Sequence, residues 1–279
     1  MKQSLNDVIL HVRRSGRGRP LVLIHGVAGS GAIWRGMLPE LEKHFDVIRL
    51  DLLGYGYSPK PKIDYTLDVH IGAIHRTINS LELAQRPIIA GLSMGALLAA
   101  EYAARYEGET SAVMCLGLPF YKSADDARQS LQASLWARLW LNRPRLARLI
   151  APPVWRAGRN RYIYALASRL QSQDKLFYGG EAAREAMLVL PRAFSSTLHN
   201  CLVHYRLNDT LQRCASPILL VHGHRDRWTS LRDIEQLVSH TDRVTVVDIP
   251  DAPHNVAVFA PRQVAKIMAR YATSLPDNG

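Results

Sequence analysis

The residues whose types and spacing could do chemistry are a serine, an aspartate and a histidine, each set among turn-forming residues. Ser93 stands in GLSMG at 91–95, a G-x-S-x-G string between an apolar run and a helical pattern. A serine hydroxyl becomes a strong nucleophile only when a neighbouring base takes its proton and a third group orients that base. On a strand–turn–helix elbow, the acid and then the histidine are expected to follow the serine along the chain. Asp226 in VHGHRDRW and His254 in IPDAPHN meet that order. Neutral His254 would take the serine proton, while ionised Asp226 would hold its tautomer and stabilise the imidazolium. Attack on a carbonyl also needs donors for the oxyanion that develops. The Met94 N–H, next after the nucleophile, is one expected donor. The Val27 N–H, in HGVAGSG, is the other, with Gly26 and Gly29 allowing close backbone approach. Gly91 and Gly95 suit an elbow too sharp for larger residues.

Other residues compete for these roles. His25 reads as shaping the oxyanion loop. His222, His224 and Asp226 form an H-x-H-x-D string, but Arg227 follows where a zinc-binding string of that kind would want another histidine, so no metal is expected. Asp51, which opens DLLGYGYS, reads as structural. Asp251 lies too close along the same loop to orient His254. Cys115 falls mid-strand and reads as packing.

Positioning these residues requires a particular order of elements. Strands are expected over 8–13, 21–24, 47–50, 87–90, 112–116, 217–223 and 244–249, the central ones as short unbroken apolar runs typical of buried parallel strands. Helical spacing covers 32–44, 67–83, about 94–105, 231–239 and 261–271. Such alternation predicts an α/β fold, a mostly parallel sheet with helices on both faces. Ser93, Asp226 and His254 each follow a strand, so all three should reach the same sheet edge. The alternation lapses over about 119–205, which reads as helices broken at Pro144, Pro152–Pro153, Gly158, Gly179–Gly180 and Pro191. The expected organisation is a core from 1–118 and 206–279 with an inserted helical cap at 119–205.

These segments together resemble the α/β-hydrolase superfamily along nearly all of the chain outside the insertion: RPLVLIHG with VAGSG-x-x-W, DLLGYGYS, IIAGLSMGALLA, PILLVHGHRD and DAPHNVAVFAPRQV. The resemblance implies Ser93, Asp226 and His254 as a triad, Val27 and Met94 as oxyanion donors, Trp34 packed behind their loop, and no cofactor. Two departures stand outside the chemistry: Pro253 precedes the histidine where Gly is commoner, and Phe259 replaces a frequent acidic residue. Haloalkane dehalogenases and epoxide hydrolases look similar but carry Asp at the elbow, so Ser93 argues against both. Carbon–carbon hydrolases of ring-cleavage products usually show Asn after the elbow Gly and Trp after the catalytic His; here those positions hold Leu92 and Asn255.

Composition narrows the partners. The chain has 279 residues, of which 47% are hydrophobic and 21% charged, as in an ordinary folded protein. Its net charge of +11 favours acidic partners, yet no nucleic-acid-binding signature is present. Three well-separated cysteines suit a reducing compartment, and the opening MKQSLNDVILHV has no apolar stretch of a secretory signal, so a cytoplasmic chain is expected. Residues 119–205 hold thirteen Lys or Arg against five Asp or Glu, and also Trp136, Trp140 and Trp155. RQSLQASLWARLWLNRPRLARLI reads as a cap helix with an apolar inner face, and also as an interfacial helix for an anionic membrane. The function expected is hydrolysis of a carboxylic ester, thioester or lactone of a small apolar acyl or aromatic substrate. Carbon–carbon hydrolysis, a ligand-binding receptor keeping the triad, and cofactor-free oxidation or perhydrolysis are the alternatives.

Overall fold

The computed structural model describes residues 7–132, 134–160, 180–205, 207–239 and 241–275. Seven strands form one sheet: β1 (His11–Gly16), β2 (Arg19–Ile24), β3 (Phe45–Asp51), β4 (Ile88–Leu92), β5 (Ala112–Leu116), β6 (Ile218–Gly223) and β7 (Val244–Ile249). Their spatial order is β1-β3-β2-β4-β5-β6-β7; β1 runs antiparallel to β3 and every other pairing is parallel. Successive side chains of a strand point to opposite faces, and the core divides accordingly. Val22, Ile24, Ile89, Val113 and Leu220 join one buried cluster. Leu21, Leu23, Ala90, Met114 and Val221 join the other.

Helices α2 (Leu67–Ser80) and α3 (Met94–Arg105) cover the first face. The short α1 (Leu38–Leu41) and the C-terminal helix over Pro261–Ser274 cover the second, with fully buried Trp34, Met37 and Met268 between them and the strands. The parallel strand order 2-4-5-6-7 places the ends of β4, β6 and β7 along one edge, which is where Ser93, Asp226 and His254 begin their loops.

Between β5 and β6 the described chain is helical: α4 (Ala124–Leu131), α5 (Leu135–Asn142), α6 (Pro144–Gly158), α7 (Gly180–Ala186), α8 (Pro191–Thr197), a π-helical turn (Leu198–Val203) and α9 (Leu207–Arg213). Trp140 and Trp155 stack at 6.1 Å between ring centroids, and both rings meet Phe194, at 5.5 and 5.8 Å. After β6 come α10 (Leu231–Val238), α11 (Val256–Phe259) and α12 (Pro261–Ser274).

Three expectations are corrected. The first strand starts at His11, later than residue 8, because its register follows β3, with His11 opposite Asp51 and Gly16 opposite Asp46. Val8 and Leu10 are buried ahead of it, and Leu10 N–H donates to Thr77 Oγ1 at 3.0 Å. The helix expected over 32–44 is split into a 3-10 turn (Gly31–Gly36) and α1, since Pro39 lacks an N–H and its ring blocks the carbonyl four residues back. Pro152 and Pro153, expected to break a helix, instead lie within α6, both on its exposed side. Gly179 lies outside the described residues.

Candidate active site

The elbow is built as the glycine pattern predicts. A Cβ on Gly91 would run into the Gly95 carbonyl, and one on Gly95 into the Ile24 carbonyl. Ser93 itself adopts φ 55° and ψ −124°, a strained conformation for a side-chain-bearing residue. The Ser93 N–H donates to Leu116 O at 2.9 Å, and its carbonyl accepts from Ala96 N–H at 2.8 Å, so both flanks of the turn are fixed. Its side chain therefore leaves the sheet at the N-terminus of α3.

His254 arrives from the loop after β7. Its Nε2 lies 2.8 Å from Ser93 Oγ, and its Nδ1–H donates to Asp226 Oδ2 at 2.7 Å. The second carboxylate oxygen, Oδ1, accepts from the N–H groups of Trp228 and Thr229 at 2.8 and 3.3 Å. Burial pushes the Asp226 carboxyl up, but the His254 contact and the Trp228 N–H outweigh it and hold it below the usual carboxylate range. The aspartate side chain is fully buried, and His254 retains a small exposed portion. An orienting anion, an imidazole and a hydroxyl thus stand in one hydrogen-bonded series.

The segment between β2 and the 3-10 turn comes close to the same serine. A Cβ on Gly26 would sit 3.2 Å from Ser93 Cβ. The N–H groups of Val27 and Met94 take part in no hydrogen bond among the described residues. His25 is fully buried beneath this loop: its Nδ1–H donates to Gly26 O at 2.7 Å, and its Nε2 accepts from Leu52 N–H at 2.9 Å. Burial lowers its pKa, which keeps it neutral and able to accept. Asp51 accepts from Gly31 N–H at 2.6 Å and from Tyr57 N–H at 2.9 Å, binding the loop to the following turn.

The remaining candidates go elsewhere. His224 Nδ1–H donates to Asp248 Oδ2 at 2.8 Å, Asp251 pairs with Arg225, and Cys115 is buried within β5. Among the described residues no group of three His, Cys, Asp or Glu side chains is disposed to hold a metal ion.

Two contributors escaped the sequence reading. Trp228, two residues past Asp226, lies 4.5 Å from the His254 ring and forms part of its wall; its position in the same short loop was the available signal. Glu185, on α7, accepts from Arg13 Nη1 and Nη2, each at 2.9 Å, and from Ser30 Oγ at 3.0 Å. It thereby ties the helical insertion to the segment just after Val27. No local pattern announces a contact between residues 155 and 172 positions apart.

Known proteins place this arrangement in a family. The family model for the alpha/beta hydrolase fold matches residues 19–261, and the chain belongs to that family. The chain is 28% identical over 272 residues to the pimeloyl-[acyl-carrier protein] methyl ester esterase of Methylococcus capsulatus, covering 95% of this chain and 99% of that protein. It is 41% identical over 85 residues to the 2-hydroxy-6-oxo-6-(2'-aminophenyl)hexa-2,4-dienoic acid hydrolase of Metapseudomonas resinovorans, a match spanning 29% of each chain. Among solved structures, that of an E-2-(acetamidomethylene)succinate hydrolase superposes with a TM-score of 0.77 over 97% of both chains, at 20% identity, a likeness of fold.

Proposed function

We propose that this member of the hydrolase family is a serine esterase acting on a carboxylic ester, thioester or lactone with an apolar acyl or aromatic group. The observation that carries the reading is the unbroken hydrogen-bond series from Asp226 through His254 to Ser93. As the Ser93 oxygen bonds to the carbonyl carbon, its proton passes to His254 Nε2. The carbonyl oxygen becomes an oxyanion held by the N–H groups of Val27 and Met94. Collapse breaks the bond to the leaving alkoxide, which takes the proton from His254. Water then gives a proton to His254 and attacks the acyl carbon, and the released serine oxygen recovers that proton. The described helices between β5 and β6 act as a lid over this site. The methyl ester named for the Methylococcus relative supports the same bond class.

A fluorophosphonate probe combined with p-nitrophenyl esters of graded chain length tests the reading. Rapid labelling and turnover are expected, both lost in Ser93→Ala. Labelling without turnover on any chain length would favour a receptor.

A second reading draws on the Metapseudomonas relative, whose named substrate is a hydroxy-oxo-dienoic acid without an ester. Hydrolysis there has to break a bond to the oxo carbon, and the same oxyanion donors would serve. Leu92 and Asn255 count against it. Loss of the dienoate absorbance on incubation with such an acid, in the absence of ester turnover, would decide for it.

A further inference from the structure

Helix α6 carries a surface that the hydrolytic site does not use. Ala147, Ala151 and Trp155, four residues apart, are buried against the rest of the insertion. Leu146, Leu149, Ile150, Pro153 and Val154 recur at i, i+3, i+4, i+7 and i+8, the spacing of one helix face, and that face is exposed. Leu149 is 74% exposed, Leu146 46% and Val154 41%, values that single scattered surface residues would not need explaining but that here form one strip. Along the edge of the strip run Arg145, Arg148, Arg156 and Arg159, all exposed. Arg145, Arg148 and Arg156 have no ion-pair partner among the described residues. Residues 127–160 contain seven arginines and no acidic residue.

We propose that the outer face of α6 docks on an anionic lipid surface, with Leu146, Leu149, Ile150 and Val154 entering the headgroup–acyl boundary. The arginines beside them would pair with lipid phosphates. Charge decides the choice of occupant: a segment of pure positive sign repels a second copy of itself. An acidic protein would be met by the arginines without requiring the continuous apolar strip beside them. Fifteen residues of helix extend about 22 Å, long enough to lie along a membrane surface and too short to cross it. Among the described residues no helix is long and apolar enough to span a bilayer. This docking stands independently of the chemistry proposed for Ser93.

The test is sedimentation of the full chain with vesicles of phosphatidylcholine alone and of phosphatidylcholine mixed with phosphatidylglycerol, at low and high salt. Binding is expected on the mixed vesicles only, and should weaken as salt screens the arginines. Replacing three arginines, in Arg145→Gln/Arg148→Gln/Arg156→Gln, should lower the bound fraction by at least about tenfold at low salt. Leu149→Ser should lower it as well, at unchanged charge. Thermal melting at the wild-type temperature establishes that each variant is folded. Binding to neither vesicle, equal binding to both, or indifference to both variants overturns the proposal. So does a dimer in sedimentation velocity that Leu149→Ser dissociates, since a second copy would then cover the face.

Discussion

At the scale of single residues, the candidate site rests on a division between charge and neutrality. Asp226 is enclosed, yet three hydrogen bonds to its two oxygens keep it ionised, and it can therefore hold the Nδ1–H tautomer of His254. An amide in its place would present the same shape without the charge, and could turn its NH2 towards the ring and favour the wrong tautomer. Asp226→Asn is expected to lower kcat on a reactive ester by roughly four orders of magnitude, with KM changed far less. A loss of tenfold or smaller, measured under single-turnover conditions, would show that the aspartate is not needed to orient the histidine. His25 illustrates the opposite use of burial. Enclosure keeps it neutral, so that one nitrogen donates and the other accepts between two backbone segments.

Secondary-structure elements act as rigid carriers, and their mutual fixing governs how well the site is held. Glu185 is the point at which α7 grips the core: a carboxylate only 3% exposed, receiving two bonds from Arg13 on β1 and one from Ser30. Removing the buried carboxylate takes the shared acceptor from Ser30 and from the partly exposed Arg13, and each lost hydrogen bond to a charged group costs about 1.5–3 kcal/mol. Glu185→Ala is expected to destabilise the fold by about 3 kcal/mol in urea unfolding, and the double change with Arg13→Ala by less than the sum of the two single changes. Additive losses would mean that the two residues are not coupled. Since Ser30 caps the 3-10 turn by accepting from Ala32 N–H and also donates to Glu185, the insertion and the segment after Val27 share an anchor.

Across the molecule, the returning end of the insertion is fastened differently from α6. The returning end is fixed by Glu101 on α3, which accepts from Arg105 Nε at 2.6 Å and Thr210 Oγ1 at 2.7 Å, with Tyr205 OH at 3.0 Å. Burial pushes the Glu101 carboxyl up, but these bonds prevail and hold it below its ordinary value of 4.5. The unfolded chain therefore takes up a proton at this position before the folded chain does. The stabilisation is fully present above the ordinary value and is lost as pH falls through the lower folded-state value. Wild type should melt above Glu101→Gln at neutral pH, and the difference should shrink once pH drops below about 4.5, the ordinary glutamate range. A difference constant through the acid limb, followed by calorimetry, would contradict this assignment. α6, in contrast, turns its outer apolar strip and arginines to solvent.

Much of this was legible along the chain because parallel strands buried on both faces announce themselves as short apolar runs, and because an elbow demands small residues at Gly91 and Gly95 whatever surrounds it. The strand ends then located Ser93, Asp226 and His254, since a mostly parallel sheet delivers successive strand ends to one edge. Local pattern was overruled at β1, which took its register from β3, and at Pro152–Pro153, which stayed within α6 on its exposed side. Contacts with no period in sequence were decided by tertiary structure alone. Glu185 reaching Arg13 and Ser30, Trp228 against His254, and the outward face of α6 all depend on how separately formed elements come to rest on one another, and side-chain spacing within a single element carries no record of that.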